Sequence, residues 1–341
     1  LEERLNYLRE MEDRRQTILT SIAEQDKLNP NLEAAIKNAE TKNRLEDLYL
    51  PYKPKRRSKA LIAREAGLEP LADALLEDPN LDPETAAGDY IDESMGVPDS
   101  KAALDGARQI LMERFAEDAD LLSALRQFLL SHALLASRLM DGKAQEGTKF
   151  RDYFAHTEAL AKVPSHRALA MFRGRNEGVL SLNLIMHAEE KPTDTHPCES
   201  MVAEHWQIAD QQRPADQWLR EAVRWTWRIK LLTHLQTDLL GQLRERAEKE
   251  AIRIFADNLK DLLLAPPAGP RATIGLDPGL RTGVKVAVVD ANGKVLDHGA
   301  IYPHEPRKRL QEAEATLLHM IRTHKVELIA IGNGTAGRET D

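Results

Sequence analysis

Apolar residues recur every three or four positions through most of residues 1–264, the mark of helices that each bury one stripe. In residues 1–27 the stripe is carried by Leu1, Leu5, Leu8, Ile18, Leu19 and Ile22, with charges between them. Asn29-Pro30-Asn31 interrupts it, and Asn31 stands where it can cap a helix over about 32–47. "LPYKPKRRSK" (50–59) cannot be regular helix, because Pro51 and Pro54 lack donors and push their predecessors toward extended backbone. Helical spacing resumes at 60–66, stops at Gly67 and restarts in "EPLADALLED", with Pro70 in its first turn. Helix, glycine, helix is compatible with a helix-turn-helix-like unit, and equally with any αα-hairpin. More helix is predicted from Asp82-Pro83, over 99–141 with a break near Glu117–Ala119, and around 215–240 and 242–263. In "EGVLSLNLIMH" (177–187) the period changes: Leu180, Leu182, Leu184 and Met186 alternate, which predicts a strand or small hairpin. Residues 189–200 read as a polar loop.

The pattern changes again after "APPAGPR" (265–271), a linker rich in Pro and Gly. "ATIGLD" and "GVKVAVVD" read as strands, and Asn292-Gly293 signals a hairpin into "KVLDHGAIY". An amphipathic helix over 306–324 then leads to a buried strand, "VELIAIGN". Three meandering strands, a crossover helix and a strand able to lie parallel to the first open a ribonuclease H-like sheet; the actin-like ATPase fold opens the same way. The expected organisation is a helical region over 1–264, the linker, and an incomplete α/β unit over 272–341.

Composition narrows the function classes. Net charge is −8, so contact with a polyanion must come from local basic patches. One cysteine, Cys198, excludes an internal disulfide and any multi-cysteine zinc site, and fits a reducing cytoplasm. His187, His196, Cys198 and His205 match no zinc spacing. No apolar run is long enough to span a membrane, so no membrane partner is expected. The first residue is Leu and the last lies at the start of a predicted element, which reads as a fragment cut at both ends. Trp206, Trp218, Trp225 and Trp227 partly follow helical spacing and read as core. Ser165-His166 lacks the acid and oxyanion loop of a nucleophilic site.

The basic candidates lie in 53–64, where Lys53, Lys55, Arg56, Arg57, Lys59 and Arg64 occur without an acid, just after Tyr49 and Tyr52. This is a phosphate-backbone footprint with aromatics at hand for stacking; the alternative is a solvated loop paired with acidic neighbours. "FRGRNEG" (172–178), with His166 and Arg167, is a second basic cluster. The acidic candidate is Asp277, ending the first strand of the α/β unit in the pattern D-x-G-x-x-x-G (Asp277, Gly279, Gly283). A carboxylate there can hold Mg²⁺, but two-metal hydrolysis needs several converging carboxylates. At the end of the crossover strand stands the neutral Asn333, and Glu327 lies at the wrong end, about 15–20 Å away. Glu339 and Asp341 are the acids that could reach back. Gly332, Gly334 and Gly337 form a loop able to cradle an anion, though without the Lys-Ser/Thr of a P-loop. Arg281 and Arg338 flank the two glycine-containing stretches and join the nucleic-acid candidates.

Taken together, "NRLEDLYLPYKPKRRSKALIAREAGLEPLA" (43–72), "KFRDYF" (149–154), "PSHRALAMFRGRNEGVL" (164–180), "GLDPGLRTGVKVAVVD" (275–290) and "IGNGTAGRET" (331–340) resemble the bacterial Tex family of transcription accessory proteins. The resemblance runs over essentially the whole chain. It implies a helical N-terminal region with a helix-turn-helix-like unit, then a YqgF-type ribonuclease H-like domain. In that family helix-hairpin-helix elements and a C-terminal OB-fold RNA-binding domain follow. Gly337 departs from the small hydroxyl residue expected in the glycine-rich loop. The resulting expectation is a cytoplasmic, non-catalytic scaffold that contacts RNA or DNA backbone and the transcription machinery, with RNA polymerase or ribosome-associated machinery as protein partners. It needs no cofactor. The rival is a Mg²⁺-dependent structure-selective nuclease centred on Asp277, with Glu339 as a further acid; a third reading is a helical interaction module.

Overall fold

Side-chain oxygens start the helices of the first part of the chain, and they correct two sequence boundaries. Asn29, not Asn31, accepts from Leu32 N (2.9 Å) and starts helix α2, with Pro30 in its first turn. The single helix expected over 32–47 is two, because Thr41 caps the backbone afresh at Arg44 N (3.2 Å). The resulting order is α1 (Glu2–Ala23), α2 (Pro30–Lys37), α3 (Lys42–Tyr49), α4 (Lys59–Glu65), α5 (Glu69–Glu77), α6 (Pro83–Gly88), α7 (Ser100–Ala116) and α8 (Ala119–His132). The computed structural model describes residues 2–54, 57–187, 196–279, 282–334 and 336–341, which divide into a unit ending at Phe255 and a unit beginning at Ala256.

The long helical reading of 99–141 ends too late. Strand β1 (Leu134–Leu139) is the centre of an antiparallel sheet between β2 (Ala155–Ala159) and β3 (Leu180–Ile185). "LLASRL" does not alternate, so its sequence continues the helical stripe of α8; pairing on both edges decides it. Buried Ser137 on β1 gives its hydroxyl proton to Tyr153 O (2.8 Å). Helix α9 (Ser165–Asn176), packed on β3, lies between β2 and β3 in the chain, and α10 (Pro197–His205) follows β3. Part of the polar loop read over 189–200 lies outside the described residues, and its end is the first turn of α10.

Helix α11 (Asp216–Trp225) runs through a π-helical segment, Thr226–Leu231, into α12 (Leu232–Leu263). The expected break near Gly241 does not occur: leucines buried on either side, Leu239, Leu240 and Leu243, outweigh a cost of about 1 kcal/mol. The π segment has a cause in the sequence. Leu219, Val223, Trp227, Leu231, Leu235, Leu239, Leu243 and Ala247 are all buried and spaced by four. A four-residue repeat drifts by about 40° per step on a 3.6-residue helix. One wider turn brings the stripe back to the core. Trp225 falls off that stripe and is 42% exposed, against the expectation that every tryptophan is core.

Three apolar clusters of described residues lie in the first unit, the smallest formed by Phe150, Val179 and Leu180. Met11, Ile18, Ile22, Ile36, Leu45 and Tyr49 form a small one under α1 to α3. The large one surrounds Ile110, Phe115, Leu125, Trp227 and Leu235. Leu5 and Leu8, counted in the α1 stripe, are nearly half exposed. Between the α1 to α3 cluster and the large one stands Arg126 on α8. Its two Nη atoms donate to buried Asp47 on α3 (2.8 and 3.0 Å), and its Nε donates to Asp238 on α12 (2.6 Å). Asn43 and Gln242 supply further donors to Asp238.

The second unit is one four-stranded sheet, ordered β6-β5-β4-β7, with α13 on one face. Its strands are β4 (Thr273–Asp277), β5 (Val284–Val289), β6 (Val295–Ile301) and β7 (Leu328–Ile331); α13 (Leu310–His324) crosses over before β7, and α14 (Gly337–Thr340) follows it. Strand β4 pairs antiparallel with β5 and parallel with β7. Ile274, Leu276, Val286 and Val288 point to the α13 side and are buried. Strand β7 is an edge rather than the buried strand expected, with Ile329 54% exposed.

Removing the charge of Arg126 strands two carboxylates. Arg126→Met should cost about 3–5 kcal/mol, read from the urea midpoint of the whole chain. Adding Asp47→Asn and Asp238→Asn should restore a large part of it. A loss under about 1 kcal/mol for the single variant would show that the triad does not join the clusters.

Candidate nucleic-acid interface and carboxylate site

Pro51 turns the end of α3 into one 3-10 turn, Leu50–Tyr52, and the chain leaves it extended at Lys53. It re-enters helix at Ser58, whose Oγ accepts from Leu61 N (3.1 Å) and donates to Glu113 Oε1 (3.0 Å). The described ends of the basic stretch, Lys53-Pro54 and Arg57, are exposed. Lys55 and Arg56 lie outside the described residues. Lys53 and Lys59 are exposed and make no ion pair among the described residues. Arg57, 69% exposed at its side chain, reaches Glu65 (2.6 Å).

Arg64 is set apart from these. It donates to Glu113 (2.6 Å) and Glu69 (3.2 Å), tying α4 to α7 and α5. Burial opposes its charge, but the hydrogen bonds to Glu113 and Glu69 outweigh that, so it holds its proton more tightly than a free guanidinium. Beneath the basic stretch lies a cleft of about 810 Å³, lined with both signs: Lys53, Arg64 and Arg114 against Glu69, Glu113 and Asp118. The hydrogen bond from Arg14, and to a lesser degree the charge of Lys53, hold Glu46 below the usual carboxylate range.

The aromatics are less available than the sequence implied. Tyr49 is buried, with its hydroxyl on Ser21 Oγ (2.9 Å) and the Arg14 guanidinium over its ring (5.4 Å). Tyr52 is half-buried against the small cluster. Of the two tyrosines expected to be available for stacking, buried Tyr49 is not, and Tyr52 lines the cleft. In the second basic cluster Arg167 pairs with Glu158 (2.7 Å) and Arg175 lies over Phe172 (5.3 Å). Arg173 keeps 75% of its side chain exposed.

In the second unit Asp277 ends β4 and is exposed, with Lys285 Nζ from β5 3.3 Å from its Oδ2. The β4–β7 register brings Gly332 level with Asp277: Leu276 faces Ile331, and Gly332 N donates to Leu276 O (2.9 Å). Asn333 is therefore one residue past the position opposite Asp277, and exposed. Glu327 lies beside Ala272, at the far end of the strand pair. Glu339 and Arg338 are exposed on α14, whose Thr340 Oγ1 is 2.8 Å from His304 Nε2. Arg281 lies outside the described residues. Among the described residues no three His, Cys, Asp or Glu side chains converge to hold a metal ion. A shallow cleft of about 490 Å³ opens on the sheet face away from α13, over Gly275, Ala287, Ala330 and Gly332, with Asp277 and Lys285 at its end.

The glycine after this carboxylate has a steric reason. Gly283 has φ +77°, and a Cβ there would lie 2.6 Å from Ile301 O and from the Tyr302 ring. Gly283 of the D-x-G-x-x-x-G pattern thus sits where the chain enters β5, packed against the end of its neighbour β6.

Family comparison agrees with this division of the chain. A profile described as Tex central region-like matches residues 78–255, and one described as Tex protein YqgF-like domain matches 271–341. The chain belongs to the Tex family. Similar Tex-family relatives include Protein YhgF of Escherichia coli strain K12 (59% identical), Protein tex of Bordetella pertussis (54%) and Transcriptional accessory protein Tex of Neisseria gonorrhoeae (52%). Each alignment covers all of this chain and 44% of the relative, so the chain spans under half the length of the Tex proteins it matches. No helix among the described residues is long and apolar enough to cross a membrane.

Gly283→Ala should lower the melting temperature of the second unit by several degrees, since the new methyl meets backbone at a left-handed φ. Gly293→Ala, in the open turn after β5, should cost less. Equal losses would remove the close-approach argument.

Proposed function

We propose that this chain is the helical and YqgF-like portion of a cytoplasmic transcription accessory factor that binds nucleic acid as a scaffold and performs no chemistry of its own. The observation that carries the reading is the basic stretch Lys53–Lys59 on a chain of net charge −8: its Lys53 and Lys59 are exposed and form no ion pair among the described residues. Such a patch contacts phosphate without reading sequence. The names of the B. pertussis and N. gonorrhoeae relatives support the transcriptional role. In this reading α4 and α5, joined at Gly67, are the helix-turn-helix-like unit, and the β6-β5-β4-β7 sheet with its crossover helix is the opening of a ribonuclease H-like fold. RNA polymerase or ribosome-associated machinery is the protein partner. Arg338 and Arg281 add phosphate contacts at the second unit.

The scaffold reading is preferred over a Mg²⁺-dependent nuclease because Asp277 has Lys285 as its neighbour and glycine opposite. One carboxylate beside an ammonium favours neither of two divalent ions. The nuclease keeps one point in its favour, the exposure of Asp277 at the carboxyl end of a central strand.

Fluorescence anisotropy with labelled RNA and DNA of about twenty nucleotides, at about 50 and 200 mM salt, tests the scaffold. Changing Lys53, Lys55, Arg57 and Lys59 together to Ala should weaken binding about tenfold or more at low salt and flatten the salt dependence. Arg64→Ala should act on stability instead. Unchanged affinity and slope would remove the basic stretch as the interface.

Incubating branched and single-stranded substrates with Mg²⁺ or Mn²⁺ should give no cleavage that Asp277→Asn abolishes. Cleavage lost in that variant would establish the nuclease.

A further inference from the structure

On the far side of α4 from the mixed-charge cleft lies a groove of about 340 Å³ that the nucleic-acid reading does not use. Its floor is apolar and low: Ala63, Leu68, Val97, Ala102 and Gly106. The absence of a side chain at Gly106 sets the depth, since a Cβ there would stand 2.3 Å from Leu68 Cδ1. Around the floor three large apolar side chains face solvent: Ile62 on α4 (45% exposed), Met95 before the Val97 turn (47%) and Trp225 at the end of α11 (42%). Exposed apolar residues scattered singly are ordinary; three around one concave apolar floor mark a contact site.

The polar atoms at the groove define what would fill it. Lys59 is exposed at one end and makes no ion pair among the described residues. Arg108 is held between two indoles, 5.4 Å from the Trp225 ring and 5.8 Å from that of Trp218. Its terminal nitrogens face Asp105 (3.1 Å) and Glu221 (3.6 Å), while its Nε is buried with no acceptor. Asp105 is the acid on the rim and repels a carboxylate at that end, leaving Lys59 as the end that attracts one.

We propose that this groove binds a peptide segment of a partner protein. The segment is amphipathic: one or two aliphatic or aromatic side chains seat between Ile62, Met95 and Trp225, and an acidic side chain meets Lys59. Charge complementarity selects the occupant. A nucleic-acid strand needs a row of cations for successive phosphates, and this rim offers one unpaired lysine over a floor of small apolar residues. The proposal stands apart from the scaffold reading, because its residues are not those of the basic stretch save for Lys59.

A displayed library of random peptides about sixteen residues long, panned on the full chain, supplies probes; enriched sequences are synthesised with a fluorescent label and titrated by anisotropy. The expected peptides carry a pair of large apolar residues beside Asp or Glu. Ile62→Asp with Met95→Asp should weaken them about tenfold or more, and Trp225→Ala by a similar factor. Lys59→Glu should weaken only acid-bearing peptides, and exchanging that acid for Lys should restore binding. Ile62 and Met95 are exposed, so melting temperature and affinity for a twenty-nucleotide-scale strand should stay at wild-type values. Two results overturn the proposal: no enriched peptide loses affinity in the Ile62→Asp, Met95→Asp protein, or the oligonucleotide loses affinity there while peptides do not.

Discussion

The fold of the N-terminal unit hangs on one guanidinium. Arg126 is the point where α3, α8 and α12 meet, and those helices are separated in sequence by up to 195 positions, the span from Asn43 to Asp238. Without it the small cluster under α1 to α3 and the large core would face each other across two carboxylates, of which Asp47 is almost wholly buried. The fork geometry of arginine lets one side chain satisfy both acids with all three nitrogens in use, which a lysine could not do. The basic stretch leaves directly from the end of α3, so its position is inherited from this triad.

The arrangement sorts charge into two kinds. Arg64, Arg114 and Arg126 are spent inside the unit, each on carboxylates of a neighbouring helix. Lys53 and Lys59 are left outside, at the two ends of a segment that Pro54 and the preceding Pro51 keep from being regular helix. In the YqgF-like unit strand pairing decides the neighbours of the exposed acid. The β4–β7 pairing that makes Asp277 prominent also sets glycine opposite it, and β5 supplies a lysine as its nearest ion.

Much of this was legible before any coordinates. The three meandering strands, the hairpin at Asn292-Gly293 and the placement of Glu327 at the wrong end all follow from short-range rules, and the structure agrees; the two units divide between Phe255 and Ala256, ahead of the proline-rich stretch 265–271. The failures share a cause. "LLASRL" continued a helical stripe and became a central strand because two edges, with partner residues 17 to 51 positions away, pair with it. Tyr49 looked free beside the basic run and is the wall of a core. Gly241 looked like a break and is carried through by the leucines around it.

By itself the sequence determined the family, the periods of the elements, and where basic and acidic chemistry could stand, because each of these is written in neighbours a few positions apart. Only the tertiary structure decided which cations remain free and which are consumed, that Gly332 rather than Asn333 faces Asp277, and that Ile62, Met95 and Trp225 share one groove. Those facts depend on which residues meet across long stretches of chain. Pairing of that range is fixed by burial and charge satisfaction in three dimensions, which no local pattern records.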